Sequence, residues 1–240
     1  MDRENLTFRD KFLPVQPFMR QHFDASEEDL LAGLQDAITE YCRLRTPDEE
    51  FKLKPTQVVA SEVMASTPIV LRFLQVLIQA TGARRVLEVG AFIGISAIYM
   101  AKVLPEDGRL VTIEKYDEFA RIAAENIREN GLSERIEVIC GDAFEELPKL
   151  GTTELFDFIF LDGNKERYRE YFELLDGHLR PGGLLIVDDV LFLGDPLNSE
   201  PKTEKGLGVK RFLEAAKRED RYKTILLPIA SGMMLMYKCE

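Results

Sequence analysis

Three aspartates and a lysine at the ends of two apolar runs are the residues of this chain best placed to do chemistry. Asp162 follows Phe156-Asp157-Phe158-Ile159-Phe160-Leu161, Lys165 comes three residues later, and Asp188-Asp189 follow Leu184-Leu185-Ile186-Val187. If the two runs are neighbouring parallel strands, about 4.8 Å apart, their terminal carboxylates converge in one crevice. Carboxylates gathered in this way repel unless positive charge offsets them, and an all-oxygen cluster suits a hard divalent cation such as Mg²⁺ or Ca²⁺. Zinc would call for histidine or cysteine, and His22 and His178 have no paired ligand nearby. Taken singly, each aspartate is equally an ordinary strand-end polar residue. Consecutive strand residues face opposite ways, so Asp188 and Asp189 can act together only if the strand ends between them.

A second constellation is Glu88-Val89-Gly90-Ala91-Phe92-Ile93-Gly94, where a strand gives way to a helix. Gly90 lets backbone approach a ligand closely, and Gly94 relieves crowding where the helix begins, whose free N–H groups favour polar ligand atoms. Glu114 ends the next strand, where a carboxylate can accept hydrogen bonds from both hydroxyls of a ribose. The pattern Glu-x-Gly-x-x-x-Gly lacks the compact Gly-x-Gly-x-x-Gly cradle for a pyrophosphate, which favours an adenosyl ligand without phosphates. Asp142, after the third strand, reads as the N-cap of a helix over 144–150, a role compatible with ligand binding. No P-loop is present, and Gly94-Ile95-Ser96-Ala97-Ile98 lacks the final glycine of a nucleophile elbow.

The elements that must position these residues are legible as alternating patterns. Short apolar runs at 85–89, 110–114, 136–140, 156–161 and 184–188 read as buried parallel strands. Helical stretches fall between them at 95–104, 116–130 and 166–179, and Gly131 and Gly182-Gly183 are expected to stop helices. Earlier, 27–45 and 68–79 carry apolar residues at helical spacing, the latter ended by Thr81-Gly82. The runs 224–228 and 233–238 are too close for a helical crossover and so pair antiparallel. An α/β fold with a mostly parallel sheet closed by an antiparallel C-terminal hairpin is the expectation.

The formal net charge of −11, from 31 basic and 42 acidic residues, argues against the basic face that a nucleic-acid backbone requires. Cys42, Cys140 and Cys239 are dispersed and odd in number, giving neither a disulfide framework nor a C-x-x-C metal site, so a reduced, cytoplasmic setting is expected. No signal-peptide pattern opens the chain and no apolar run approaches the ~20 residues that span a bilayer. With 45% hydrophobic residues and no repeat, the chain has material for one large domain behind an N-terminal helical extension.

Taken together, Glu88 to Gly94, Glu114 and Gly141-Asp142-Ala143 resemble the successive motifs of class I S-adenosylmethionine-dependent methyltransferases, with a Rossmann-like seven-stranded sheet and helices on both faces. By that resemblance Asp142 and Ala143 border the adenine, Gly90 and Ser96 meet the methionine end, and Glu88, Ala91, Gly94 and Asp162 belong to the same cofactor site. The run 156–165 and the stretch from Pro181-Gly182-Gly183 to Asp188-Asp189-Val190-Leu191-Phe192 are similar to the cation-dependent O-methyltransferases of the caffeoyl-CoA and catechol type. The resemblance runs from about residue 64 to the C-terminus. It implies that Asp162, Asp188 and Asp189 hold the cation, that Lys165 deprotonates the acceptor hydroxyl, and that Met64 touches the cofactor; close to the cation, Lys165 is expected to have a lowered pKa and act as base. It also implies a homodimer, with residues 1–55 as an extension reaching substrate and partner and 56–240 as the methyltransferase domain.

This chain departs from the family pattern at Asp189, usually Asn, at Asn164, usually Asp, at Ile69-Val70, usually acidic, and at Phe192, often Trp. The expected reaction is methyl transfer to a hydroxyl of a small catechol-like acceptor. The alternatives are a hydroxylated uridine of tRNA, on which some bacterial relatives act, and a nucleoside-binding protein without catalysis.

Overall fold

The computed structural model describes residues 65–151 and 155–239; the expected extension over 1–55 and Met64 lie outside them. Helix α1 (Pro68–Thr81) begins on a proline whose missing N–H is not needed there and ends at Gly82. There follow β1 (Arg85–Val89), α2 (Ile95–Val103), β2 (Arg109–Glu114), α3 (Asp117–Glu129), β3 (Ile136–Cys140) and the short α4 (Ala143–Glu146). The second half comprises β4 (Phe156–Leu161), a 3₁₀ turn (Lys165–Arg167), α5 (Tyr168–Asp176), β5 (Leu179–Val187), a 3₁₀ segment (Phe192–Leu197), α6 (Glu204–Lys217), β6 (Tyr222–Leu227) and β7 (Met233–Lys238).

The seven strands form one sheet in the order β3-β2-β1-β4-β5-β7-β6. The first five are mutually parallel, whereas β7 runs antiparallel to β5 and β6 antiparallel to β7. The order reverses between β1 and β4, which is where ligands settle in open α/β sheets. Alternate residues of the central strands feed two cores. Val86, Phe158, Phe160 and Ile186 pack with Leu74 and Ile78 of α1 and Ile98 of α2. Leu87, Val89, Leu161 and Val187 pack on the other face with Phe172 of α5 and Phe212 of α6.

Three expectations need correction. The fifth strand starts at Leu179, not Leu184, because Pro181-Gly182-Gly183 form an irregularity inside the strand and do not end a helix: Phe156 pairs with Leu179, and Phe158 with Leu184. The helix read over 166–179 opens as a 3₁₀ turn at Lys165 and ends at Asp176. The sixth strand begins at Tyr222, two residues before the expected 224. Among the described residues no helix is long and apolar enough to cross a membrane.

Candidate active site

The turn after β1 is shaped by a close approach. Gly90 has φ +99°, and a Cβ there would collide with the Asp162 carbonyl oxygen and stand 2.8 Å from its carbon. The Asp162 N–H donates to the Val89 carbonyl at 2.9 Å. Gly90 thus brings the ends of β1 and β4 together, a role beyond the ligand approach its type suggested. Gly94, also left-handed, caps α2 and lies against Ala123 of α3, while the Asn126 side chain donates to the Ile93 carbonyl at 2.8 Å and fixes the loop.

Two glutamates flank that turn. Glu114 accepts from the backbone N–H of Phe92 at 2.8 Å on Oε2 and of Tyr116 at 3.0 Å on Oε1. Burial raises its pKa against those hydrogen bonds. Glu88 is fully buried; its Oε2 accepts from the Thr112 hydroxyl at 2.6 Å, and its Oε1 has no partner among the described residues. Burial pushes its carboxyl up to about 7, although the Ser96 and Thr112 hydroxyls pull the other way. An orphaned acceptor beside a left-handed glycine turn fits a ligand that brings a donor. Ala91 and Ser96, both buried, complete this side of the crevice.

Glu88 also makes folding pH-dependent. The native state keeps its proton up to about pH 7, whereas an unfolded chain releases it near 4.5, so folding binds a proton between those values. The stability this supplies is fully present below 4.5 and is lost as pH rises through 7, a loss of about 3 kcal/mol. Glu88→Gln is expected to shrink the stability difference between about pH 5 and about pH 8 by that order in urea denaturation. An unchanged difference would refute the assignment.

Asp142 caps α4, accepting from the Phe144 N–H at 3.0 Å, and pairs with Lys115 at 2.9 Å, a partner that lowers its pKa. The capped helix covers 143–146, with a 3₁₀ turn (Leu147–Leu150) after it, so the cap was foreseen and the pairing was not. Ala143 is buried at the start of α4.

At the next two strand ends the carboxylates gather. Strand β5 ends at Val187, and Asp189 takes a left-handed φ of +54°, which breaks the alternation that would have sent Asp188 and Asp189 to opposite faces. The Asp189 N–H donates to the Asp188 carboxylate at 2.8 Å. Lys165 joins the group, its ammonium 3.1 Å from Asp162 Oδ1 and 2.8 Å from Asp189 Oδ2. Burial pushes the Asp162 carboxyl up to about 6 in spite of Lys165, and burial with the two neighbouring carboxylates raises Asp188 well above the usual range.

The partners of Lys165 set the sign of its shift. Burial alone would lower it, but Tyr168, Asp162 and Asp189 reverse the sign and hold the ammonium above the ordinary lysine value. Among the described residues no three His, Cys, Asp or Glu side chains stand ready as a metal cage. The donor set is still oxygen-only, and the ammonium lies on two of its members, so a cation and Lys165 would share the same oxygens.

Two further residues complete this end of the site, and the sequence offered little to mark either. Tyr168 lies buried beneath Lys165. Gly208 of α6 is so close to the Lys165 turn that a Cβ would stand 2.5 Å from the Lys165 carbonyl oxygen and the Glu166 Cα. The leading end of α6 is tied to the loop after β5: the Asp195 carboxylate accepts from the N–H groups of Lys202 (2.8 Å) and Thr203 (2.9 Å) and from the Thr203 hydroxyl (2.7 Å).

Known proteins resemble this chain in sequence and fold. Residues 49–239 match the family model described as O-methyltransferase. The chain is 37% identical over 143 residues to a catechol O-methyltransferase from Niastella koreensis, covering 59% of this chain and 65% of that one, just under two thirds of its length. It is 34% identical over 179 residues to the O-methyltransferase imqG from Aspergillus flavus, covering 71% and 72% of the two chains. The crystal structure of the O-methyltransferase TomG from Streptomyces achromogenes, in complex with SAM, superposes with a TM-score of 0.69 at 28% identity over 100% of both chains. With the switch-point turn, the acidic strand ends and a family match over most of its length, this chain belongs to the O-methyltransferase family.

Proposed function

We propose that this protein transfers a methyl group from S-adenosylmethionine to a hydroxyl of a small catechol-like acceptor with the help of a divalent cation, Mg²⁺ or Ca²⁺. The observation that carries this reading is the meeting of Asp162, Asp188, Asp189 and Lys165 at the ends of β4 and β5, beside the Gly90 turn. The SAM bound to TomG supports the cofactor. In this reading Glu114 takes the ribose hydroxyls, Asp142 and Ala143 border the adenine, and Gly90, Ala91, Gly94, Ser96 and the orphaned Glu88 oxygen surround the methionine end.

Asp162, Asp188 and Asp189 would hold the cation, which when bound lowers the pKa of a phenolic hydroxyl from its usual ~10. Lys165, having released one ammonium proton to solvent, takes the hydroxyl proton on Nζ. The acceptor oxygen then attacks the methyl carbon in line, the carbon–sulfur bond breaks, and the pair of electrons stays on sulfur as a neutral thioether. The protein's main contribution is to hold oxygen and methyl at reacting distance and angle. A reduced, cytoplasmic setting and a homodimer belong to the same reading; Cys140 and Cys239 are free thiols.

The test is incubation with labelled S-adenosylmethionine and a catechol panel, then with bulk tRNA, in Mg²⁺ or in chelator. Label on a catechol that vanishes in chelator is the expected result. Label that persists in chelator would sink the cation, and label on tRNA alone would replace the acceptor.

A further inference from the structure

The first residue of α5 carries an unexplained polar group. Tyr168 is completely buried, and its hydroxyl has no hydrogen-bond partner among the described residues. A buried hydroxyl left in that state carries a desolvation penalty that phenylalanine, of the same shape, would avoid. The ring is held from behind by Phe212 of α6, edge-on at 6.1 Å between centroids, so it has little freedom to seek a partner elsewhere. The Lys165 ammonium stands 5.8 Å from the centre of the same ring. The ring therefore lies against the same ammonium that Asp162 and Asp189 hold, at the edge of the acidic cluster.

Lys165 has three N–H donors, and Asp162 and Asp189 take two. Those are also the carboxylates that would turn to a cation, so the lysine loses both partners at the stage when its direction matters most. We propose that Tyr168 is a positioning residue for Lys165: its neutral hydroxyl accepts an N–H of the lysine when Asp162 and Asp189 are engaged elsewhere, and keeps Nζ directed at the acceptor oxygen. This rests on the O-methyl transfer proposed above. A neutral partner suits the role because it orients the lysine without adding a negative charge that would hold the proton on it.

The experiment compares wild type with Tyr168→Phe by steady-state kinetics on a catechol with Mg²⁺, by thermal melting, and by Mg²⁺ calorimetry. The expected pattern is a kcat about 10- to 100-fold lower, KM for both substrates unchanged, Mg²⁺ affinity unchanged, and a melting temperature equal to or above wild type. In a Lys165→Ala background the same substitution should bring no further loss, since it acts through the lysine. An unchanged kcat, a lowered melting temperature, or an undiminished effect without Lys165 would each overturn the proposal. Absence of catechol methylation by the wild type would overturn the reading beneath it instead.

Discussion

Asp162→Ala is expected to slow methyl transfer by about 10²- to 10³-fold while the fold survives. The loss is large because this carboxylate serves two partners at once. In the proposed reading it is one of three oxygen donors to a cation, and in the structure it is one of two groups that hold the Lys165 ammonium. The cost to stability is small for a different reason. Burial already pushes the Asp162 carboxyl up to about 6, so the native state gives up little by losing it. Kinetics with Mg²⁺ and a catechol, run beside thermal melting, separate the two effects. A kcat within about threefold of wild type would remove Asp162 from the machinery, and a collapse in melting temperature would recast it as a structural residue.

Gly90→Ala is expected to damage both halves of the site through one methyl group. The substituted residue would have to hold φ +99°, which L side chains rarely adopt, and its Cβ would strike the backbone of Asp162. Nothing flexible is available to yield, because that backbone is locked to Val89 by a ladder hydrogen bond of 2.9 Å. The ends of β1 and β4 must part, at a cost of about 3 kcal/mol or more. Parting them displaces Asp162 and the turn proposed for the cofactor together. Urea denaturation and calorimetry with S-adenosylmethionine should therefore report reduced stability and weakened binding. A variant within about 1 kcal/mol of wild type that binds normally would show that the turn relaxes more easily than its geometry indicates.

The parts of this molecule that were legible in the sequence are those encoded by continuous runs. Phe156-Asp157-Phe158-Ile159-Phe160-Leu161 could only be a buried strand, and Asp162 had to lie at its end. The start of β5 was misplaced because proline and paired glycines read as breaks, whereas β4 tolerates them as a bulge opposite Phe156 and Phe158. The contacts of Lys165 were beyond the sequence for a deeper reason. A sequence gives the groups around a lysine but not their distances, and 3.1 and 2.8 Å to two carboxylates decide the sign. Tyr168 carries no mark in the sequence at all, since an aromatic at the head of a helix is usually just core. Only packing reveals that its hydroxyl is stranded.

The helix α6 rests its backbone on the lysine turn at Gly208, while its leading end is moored to Asp195 in the loop after β5. A chimera that imports a foreign loop at 192–197 would drag the mooring, and through α6 the lysine turn with it. The portable cassette in this scaffold is the whole block 162–217, and exchange of shorter pieces should displace the lysine turn.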